Sequence, residues 1–377
     1  MSKKIILFTL QTFSTTGGIQ KMSRTLGYSL QQIAHANNWD FKLFSLYDAS
    51  NDLMPQYLPI QNFKGFGAKK IPFVLGSLKE AANADIIILS HINLAVIGLA
   101  AKIINPKCKI WLIAHGIEVW RPLTFFKRKF LDHCNKIICV SSFTKQQMIK
   151  WHKTDAADCF ILNNAIDPFM DVPQTFARPL YLLNKYGLTS SNPIIFTLTR
   201  LAATEQYKGH DHVINIIGKL KLKFPTIRYV LSGQFDDKEE IRIKQLIKHN
   251  NVQENVILTG FIDEKELPDH FLMADVFVLP SKKEGFGIVF IEALACGLPV
   301  ICGNADGSID AIRNGQLGRA IDADNLDELQ QAIAESLAIP LTNDKRRELQ
   351  AKCLQYFNGH DYINSLQQLI DNNTLSN

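Results

Sequence analysis

An α/β protein built of two doubly wound domains in tandem, which would form a cleft between them if they faced each other, is what this sequence predicts, and three observations carry the prediction. Its 377 residues are more than one hydrophobic core usually supports, and 46% apolar content is ample for two. Short apolar runs alternate with amphipathic stretches over the whole chain, as in parallel sheets covered by helices on both faces. The rhythm breaks once, in the looser segment DPFMDVPQTFARPLYLLNKYGLTSSNP at 167–193, and then restarts.

Six runs in the first half read as strands: KIILFTL from Lys4, FKLFSLY from Phe41, ADIIILS from Ala84, KIWLIAH from Lys109, KIICVSS from Lys136 and CFILNN from Cys159. Five more follow the break: IIFTLTR from Ile194, IRYVLSG from Ile227, VILTGF from Val256, DVFVLPS from Asp275 and LPVICG from Leu298. The expected domains are 1–175 and 176–354. A helical tail at about 355–377 is expected to return to the first.

Charge is unevenly placed. Residues 1–175 hold 20 Lys and Arg against 11 Asp and Glu, and the remainder 21 against 25. The densest basic stretch, RPLTFFKRKF at 121–130, interleaves Phe125, Phe126 and Phe130 with Arg121, Lys127, Arg128 and Lys129. It could lie on an anionic membrane surface, while the plainer reading is a helix or loop with core phenylalanines and solvated charges. Nucleic acid is not an expected partner, because the excess is small and no recognition motif accompanies it. Seven cysteines with no CxxC pair, mostly in apolar segments, point to reduced, buried thiols, a cytoplasmic location and no zinc site. No run looks like a membrane span, and the six-residue apolar stretch after Lys4 is too short for a signal peptide.

In doubly wound sheets ligands bind beyond the carboxyl ends of the strands, so the residues after each run are the candidates. Within SKKEGFGIVFIEALACGLPV at 281–300, Glu284 and Glu292 flank a Gly-Phe-Gly turn. A helix from Gly287 to about Cys296 leads to an expected separation of roughly 12 Å, too long for the paired carboxylates of a glycosidase. The glycines and the helix start suit phosphate, although a plain strand-to-helix turn with two solvated acids would carry the same residues. After IIFTLT come Arg200 and, before a Gly-His-Asp helix start, Lys208. Two cations at such a junction suit a diphosphate, or are simply exposed loop charges. Gly17 and Gly18 open a helix after the first strand without a dinucleotide fingerprint. His115 ends a central strand beside Gly116, placed to bond a sugar hydroxyl or assist a proton transfer if it is more than structural.

Together these segments resemble the retaining GT-B glycosyltransferases of glycosyltransferase family 4, over nearly the whole chain and most strongly from Phe196 to Asp322. The most specific element is the E-x7-E spacing of Glu284 and Glu292, in company with TRLAATEQYKGHDHVI, VILTGFIDEKELPDHFLMADVFVLPS, GNADGSIDAI, CVSSFTKQQM and ILNNAIDPF. The resemblance implies that Glu284 contacts the donor sugar with the amides of Gly285, Phe286 and Gly287, and that Glu292 binds the ribose. It implies that Arg200 and Lys208 hold the diphosphate, with helix-start amides of Ile288 and Val289. It sets the main chain of Phe261 and Ile262 near the base, Gly18 near the donor, and His115 beside the reacting sugar. Two departures stand out: Gln234 and Phe235 where many relatives have Gly-x-Gly, and Ala165 where Asn-Gly is common.

The implied reaction is retaining, metal-independent and cofactor-free: a hexose passes from a UDP- or GDP-sugar to a lipid-linked or glycan acceptor in cell-surface polysaccharide synthesis. The departing phosphate helps to take the proton, and no protein nucleophile is needed. Two other readings fit the same fold: an epimerase or phosphorylase, although no pyridoxal-phosphate lysine is evident, and a non-catalytic nucleotide-sugar-binding subunit.

Overall fold

The computed structural model describes residues 2–371. The last six positions of the expected tail, 372–377, lie outside the described residues. The chain divides into two compact units, one of residues up to Pro168 together with those from Phe357 onward, the other of Phe169–Tyr356. The border thus falls at 168/169 rather than 175/176.

The first unit carries one parallel sheet of seven strands: β1 (Lys4–Thr9), β2 (Asp40–Ser45), β3 (Phe63–Gly65), β4 (Ile86–Leu89), β5 (Lys109–Ala114), β6 (Lys136–Cys139) and β7 (Cys159–Ile161). Their order across the sheet is β3-β2-β1-β4-β5-β6-β7. All six runs expected there are strands. β3 was not anticipated, because three residues that include a glycine present no alternation to read. The central strands are Ile- and Leu-rich, and β4 is buried at each of its four positions, as a strand covered on both faces must be. The helix Gly18–Asn37 packs on the C-terminal helix Gly359–Ile370. Lys136 Nζ donates to the Leu369 carbonyl at 2.8 Å, which ties that helix to the sheet.

The second unit carries a six-stranded parallel sheet of β8 (Ile194–Leu198), β9 (Arg228–Ser232), β10 (Val256–Gly260), β11 (Val276–Leu279), β12 (Val300–Gly303) and β13 (Arg319–Ile321), in the order β10-β9-β8-β11-β12-β13. β13, again three residues, was also missed. In each sheet the winding reverses once, between β1 and β4 and between β8 and β11. At such a reversal the loops leaving the two strands diverge and leave a crevice at their carboxyl ends.

The basic stretch 121–130 leads into a short helix, Phe125–Leu131. Its phenylalanines divide: Phe130 is fully buried, whereas Phe125 and Phe126 are 72% and 59% exposed. The Phe130 ring lies against Gly98, where a Cβ would come within 2.3 Å of it. The expectation of core phenylalanines therefore holds for one of the three. Phe130→Ala should cost about 3–5 kcal/mol in urea unfolding, while Phe125→Ala and Phe126→Ala should each stay within about 0.5 kcal/mol of the parent.

Candidate functional site

The residues singled out in the second half follow four strands: Arg200 and Lys208 come after β8, Gln234 and Phe235 after β9, Phe261 and Ile262 after β10, and Glu284 to Glu292 after β11. The β8 loop carries Arg200 and Lys208 and ends at Gly209, whose φ of +78° is the left-handed conformation that glycine adopts without strain. A side chain there would meet the Pro280 carbonyl at 2.3 Å, so the β8 and β11 loops lie in backbone contact. The Lys282 amide donates to the Tyr207 carbonyl at 3.0 Å and fastens them. Across this seam Lys208 Nζ donates to Glu284 Oε1 at 2.6 Å, with side chains only 15% and 14% exposed. Arg200 forms its ion pair within its own loop, with Glu205; the Arg200 side chain is 69% exposed and that of Glu205 is 10%.

Neither acid of the 281–300 stretch is solvated. Glu284 is paired as above, and Glu292 is buried in the helix Ile288–Ala295. That helix begins one residue later than expected. Only the four steps from Ile288 to Glu292 are helical, a rise of about 6 Å, and the 12 Å figure for the pair does not apply. Gly287 caps the helix start at φ +83°, where a Cβ would strike the Phe290 ring. Phe286 is buried, while Gly285, Ile288 and Val289 are half-buried. The first turn of this helix contains no acid of its own to offset the partial positive charge of its amides.

The β12 loop, where no residue is expected from the sequence to act, closes around the turn. Asp306 Oδ2 accepts the Glu284 amide at 2.6 Å, Oδ1 accepts the Ser308 amide at 2.9 Å, and the Gly307 amide donates to the Glu284 carbonyl at 2.8 Å. Burial, and then the neighbouring Glu284 carboxylate, push the Asp306 pKa up to about 7. Glu205 was also missed. The only signal for it is an acid five residues after Arg200, which is common in loops.

Phe261 and Ile262 follow β10, the first 58% exposed and the second buried. Gln234 and Phe235 brace the β8 loop: the Gln234 carbonyl accepts the Leu201 amide at 3.0 Å, and Phe235 bridges Leu201. Asp236 extends the brace by accepting the Ala203 amide at 2.8 Å.

In the first unit, Gly18 starts its helix and His115 follows β5. The His115 imidazole reaches the Ser90 carbonyl through Nε2 at 3.0 Å, so that nitrogen carries the proton. Desolvation, with a smaller push from His91, lowers its pKa to about 4. His91 falls to about 4 through burial and the charges of Lys127 and Arg121. Both rings are therefore neutral at pH 7. Two unanticipated carboxylates shape these loops. Buried Glu118 accepts the amides of His115 and Gly116 at 2.7 and 3.1 Å, and fully buried Asp48 accepts those of Thr12 and Ser14 at 2.7 and 2.9 Å.

Among the described residues, His210, Asp211 and Glu239 are grouped tightly enough for a metal. Arg242 stands among them, donating to Asp211 at 2.6 Å and Glu239 at 2.6 Å, so a guanidinium already supplies the positive charge. No described helix is long and apolar enough to cross a membrane.

Residues 48–168 match the family Glycosyltransferase Family 4, and residues 183–353 match Glycosyl transferases group 1. The chain is 29% identical, over 258 residues, to a GDP-mannose-dependent alpha-(1-6)-phosphatidylinositol monomannoside mannosyltransferase of Mycolicibacterium smegmatis, covering 66% of this chain and 65% of the relative. It is 25% identical, over 208 residues, to O-antigen chain mannosyltransferase B of Escherichia coli, covering 55% and 52%. The chain thus spans less than two thirds of the length of each. The Anabaena protein HepE, crystallised in complex with UDP, superposes with a TM-score of 0.79 over 99% of this chain and 100% of its own at 17% identity, a likeness of fold.

The neutral histidines give a pH test. A histidine whose folded pKa is depressed binds fewer protons in the native than in the unfolded state between about pH 4 and 6.5, so stability is lost as pH falls through that window. His115→Gln should lose less melting temperature than the parent between pH 7 and 4.5. A parent-minus-variant difference that is constant with pH would contradict the assignment.

Proposed function

We propose that this chain, which has the GT-B fold and belongs to the glycosyltransferases of family 4, transfers a hexose with retention of configuration from a UDP- or GDP-sugar to a lipid-linked or glycan acceptor. The observation that carries the reading is the Lys208–Glu284 pair, held where the winding of the second sheet reverses and beside a helix start. A cation and an acid so placed suit the two halves of a nucleotide-sugar: the diphosphate for Lys208 and the sugar hydroxyls for Glu284.

In this reading Lys208, Arg200 and the amides of Ile288 and Val289 receive the diphosphate, the charge that grows as the sugar departs. Both cations already have carboxylate partners, so the incoming phosphate takes over part of their coordination. Positive charge from side chains and amides replaces that of a divalent ion, which makes the reaction metal-independent. Glu284 and the turn amides of Gly285, Phe286 and Gly287 orient the sugar. Glu292 serves the ribose, and the main chain at Phe261 and Ile262 meets the base. The acceptor hydroxyl attacks on the face from which the phosphate leaves, and the phosphate takes its proton. The protein contributes positioning and charge stabilisation. In the first unit, Gly18 and the neutral His115 are assigned to substrate contact, His115 as a hydrogen-bonding group rather than a cation.

The acceptor side of the reading is membrane-associated polysaccharide synthesis at the cytoplasmic face. The helix Phe125–Leu131 exposes two phenylalanines beside Lys127, Arg128 and Lys129. The helix Ala95–Ile104 packs against it and against Lys70–Ala81; these expose Val96 and Ile103, and Ile71 and Leu75. Apolar side chains interleaved with cations suit an anionic bilayer surface. GDP-mannose is the first donor to test, given the names of the relatives.

Lys208→Ala and Arg200→Ala should each lower kcat by about two to three orders of magnitude, the scale of losing one preorganised charge-stabilising donor; both should still melt cooperatively, Lys208→Ala at a lower temperature because Glu284 loses its partner. Parent-like turnover in either contradicts the diphosphate assignment. Liposomes containing anionic lipid should sediment the protein, and replacing Lys127, Arg128 and Lys129 by Ala should release it. Equal sedimentation of that variant, or none of the parent, contradicts the membrane assignment.

A further inference from the structure

Asp306 has no role in the reaction as derived above, yet it is 1% exposed and its carboxylate is committed to two main-chain donors, the amides of Glu284 and Ser308. Burying a carboxylate is costly unless such bonds satisfy it, so the feature needs a reason. The reason lies in what is held. Glu284 is gripped on its amide side by Asp306 and on its carbonyl side by the Gly307 amide at 2.8 Å, and its own carboxylate takes Lys208 at 2.6 Å. Gly307 lies so close to the turn that a Cβ would meet the Gly285 carbonyl at 2.1 Å. One loop thereby fixes the backbone of the residue that, in the proposed function, orients the donor sugar.

We propose that Asp306 is a positioning residue for sugar transfer, setting the place of Glu284 through its main-chain amide and acting on the sugar half of the donor rather than on the diphosphate. This rests on the nucleotide-sugar reading given above. A displacement of about 1 Å at a positioned group can cost about 100-fold in rate, so a buried clamp on one amide is enough to matter. The grip is strongest when Asp306 is ionised, since the carboxylate then has both oxygens free to accept. The titratable groups that face it are Glu284, with Lys208 beyond, and Cys302 of β12, whose thiol burial pushes up. Because Asp306 titrates near neutrality, the sugar-dependent step should gain an acid limb there.

The test measures Asp306→Ala and Asp306→Asn against the parent in three ways: amide hydrogen exchange at Glu284, binding of the nucleotide-sugar compared with the bare nucleoside diphosphate, and kcat/KM from pH 5.5 to 9. Asp306→Ala should speed exchange at Glu284 and lower kcat/KM by about 10- to 100-fold, while the affinity for the bare diphosphate changes by less than about threefold. Asp306→Asn can turn its one acceptor oxygen to the Glu284 amide but sets its NH2 donor against the Ser308 amide, and so should recover part of the rate and remove the limb near pH 7. Parent-like exchange at Glu284 in Asp306→Ala, or equal losses for diphosphate and nucleotide-sugar, would overturn the proposal. Should the parent bind no nucleotide-sugar at all, the functional reading falls. The exchange measurement would still decide whether Asp306 holds Glu284.

Discussion

A lysine and a glutamate withdrawn from most of the solvent each lose hydration that neither regains alone, so they persist only in each other's company. Lys208 and Glu284 are such a pair, and they come from different loops. Their meeting requires the left-handed Gly209 against Pro280, the Tyr207–Lys282 bond, and the clamp of Asp306 and Gly307 on the Glu284 backbone. These contacts in turn require β8, β11 and β12 to lie side by side in parallel, which the order of the sheet provides. In the proposed function, this ion pair is where the fold becomes a donor site.

The same constraint explains the glycines. Gly209, Gly287 and Gly307 stand where another backbone or a buried ring occupies the space of a side chain. They bring loops within hydrogen-bonding distance of each other. In the proposed function a phosphate at that helix start would meet an already ordered turn, with little ordering left to be done on binding.

Much of this was legible in the sequence. Every apolar run expected to be a strand is one, because a strand buried on both faces has to be apolar at nearly every position. The misses, β3 and β13, are three residues each and carry no periodicity. The E-x7-E stretch located Glu284 and Glu292, but the distance drawn from it assumed helix where a turn lies. Lys208 and Glu284 were each identified, whereas their direct contact was not, since pairing across 76 positions has no local signature. Asp306, Glu205, Glu118 and Asp48 escaped for a related reason. Their work is to accept main-chain amides or to hold a neighbouring cation, and only tertiary structure reveals which.

In the proposed function everything depends on where the diphosphate binds. A crystal structure of the protein with GDP-mannose or UDP-glucose tests it directly. The account predicts phosphate oxygens within about 2.7–3.2 Å of Lys208 Nζ and of the amides at Ile288 and Val289, with the hexose against Glu284. A nucleotide bound elsewhere, with the Lys208–Glu284 pair undisturbed and the helix start uncontacted, would contradict it.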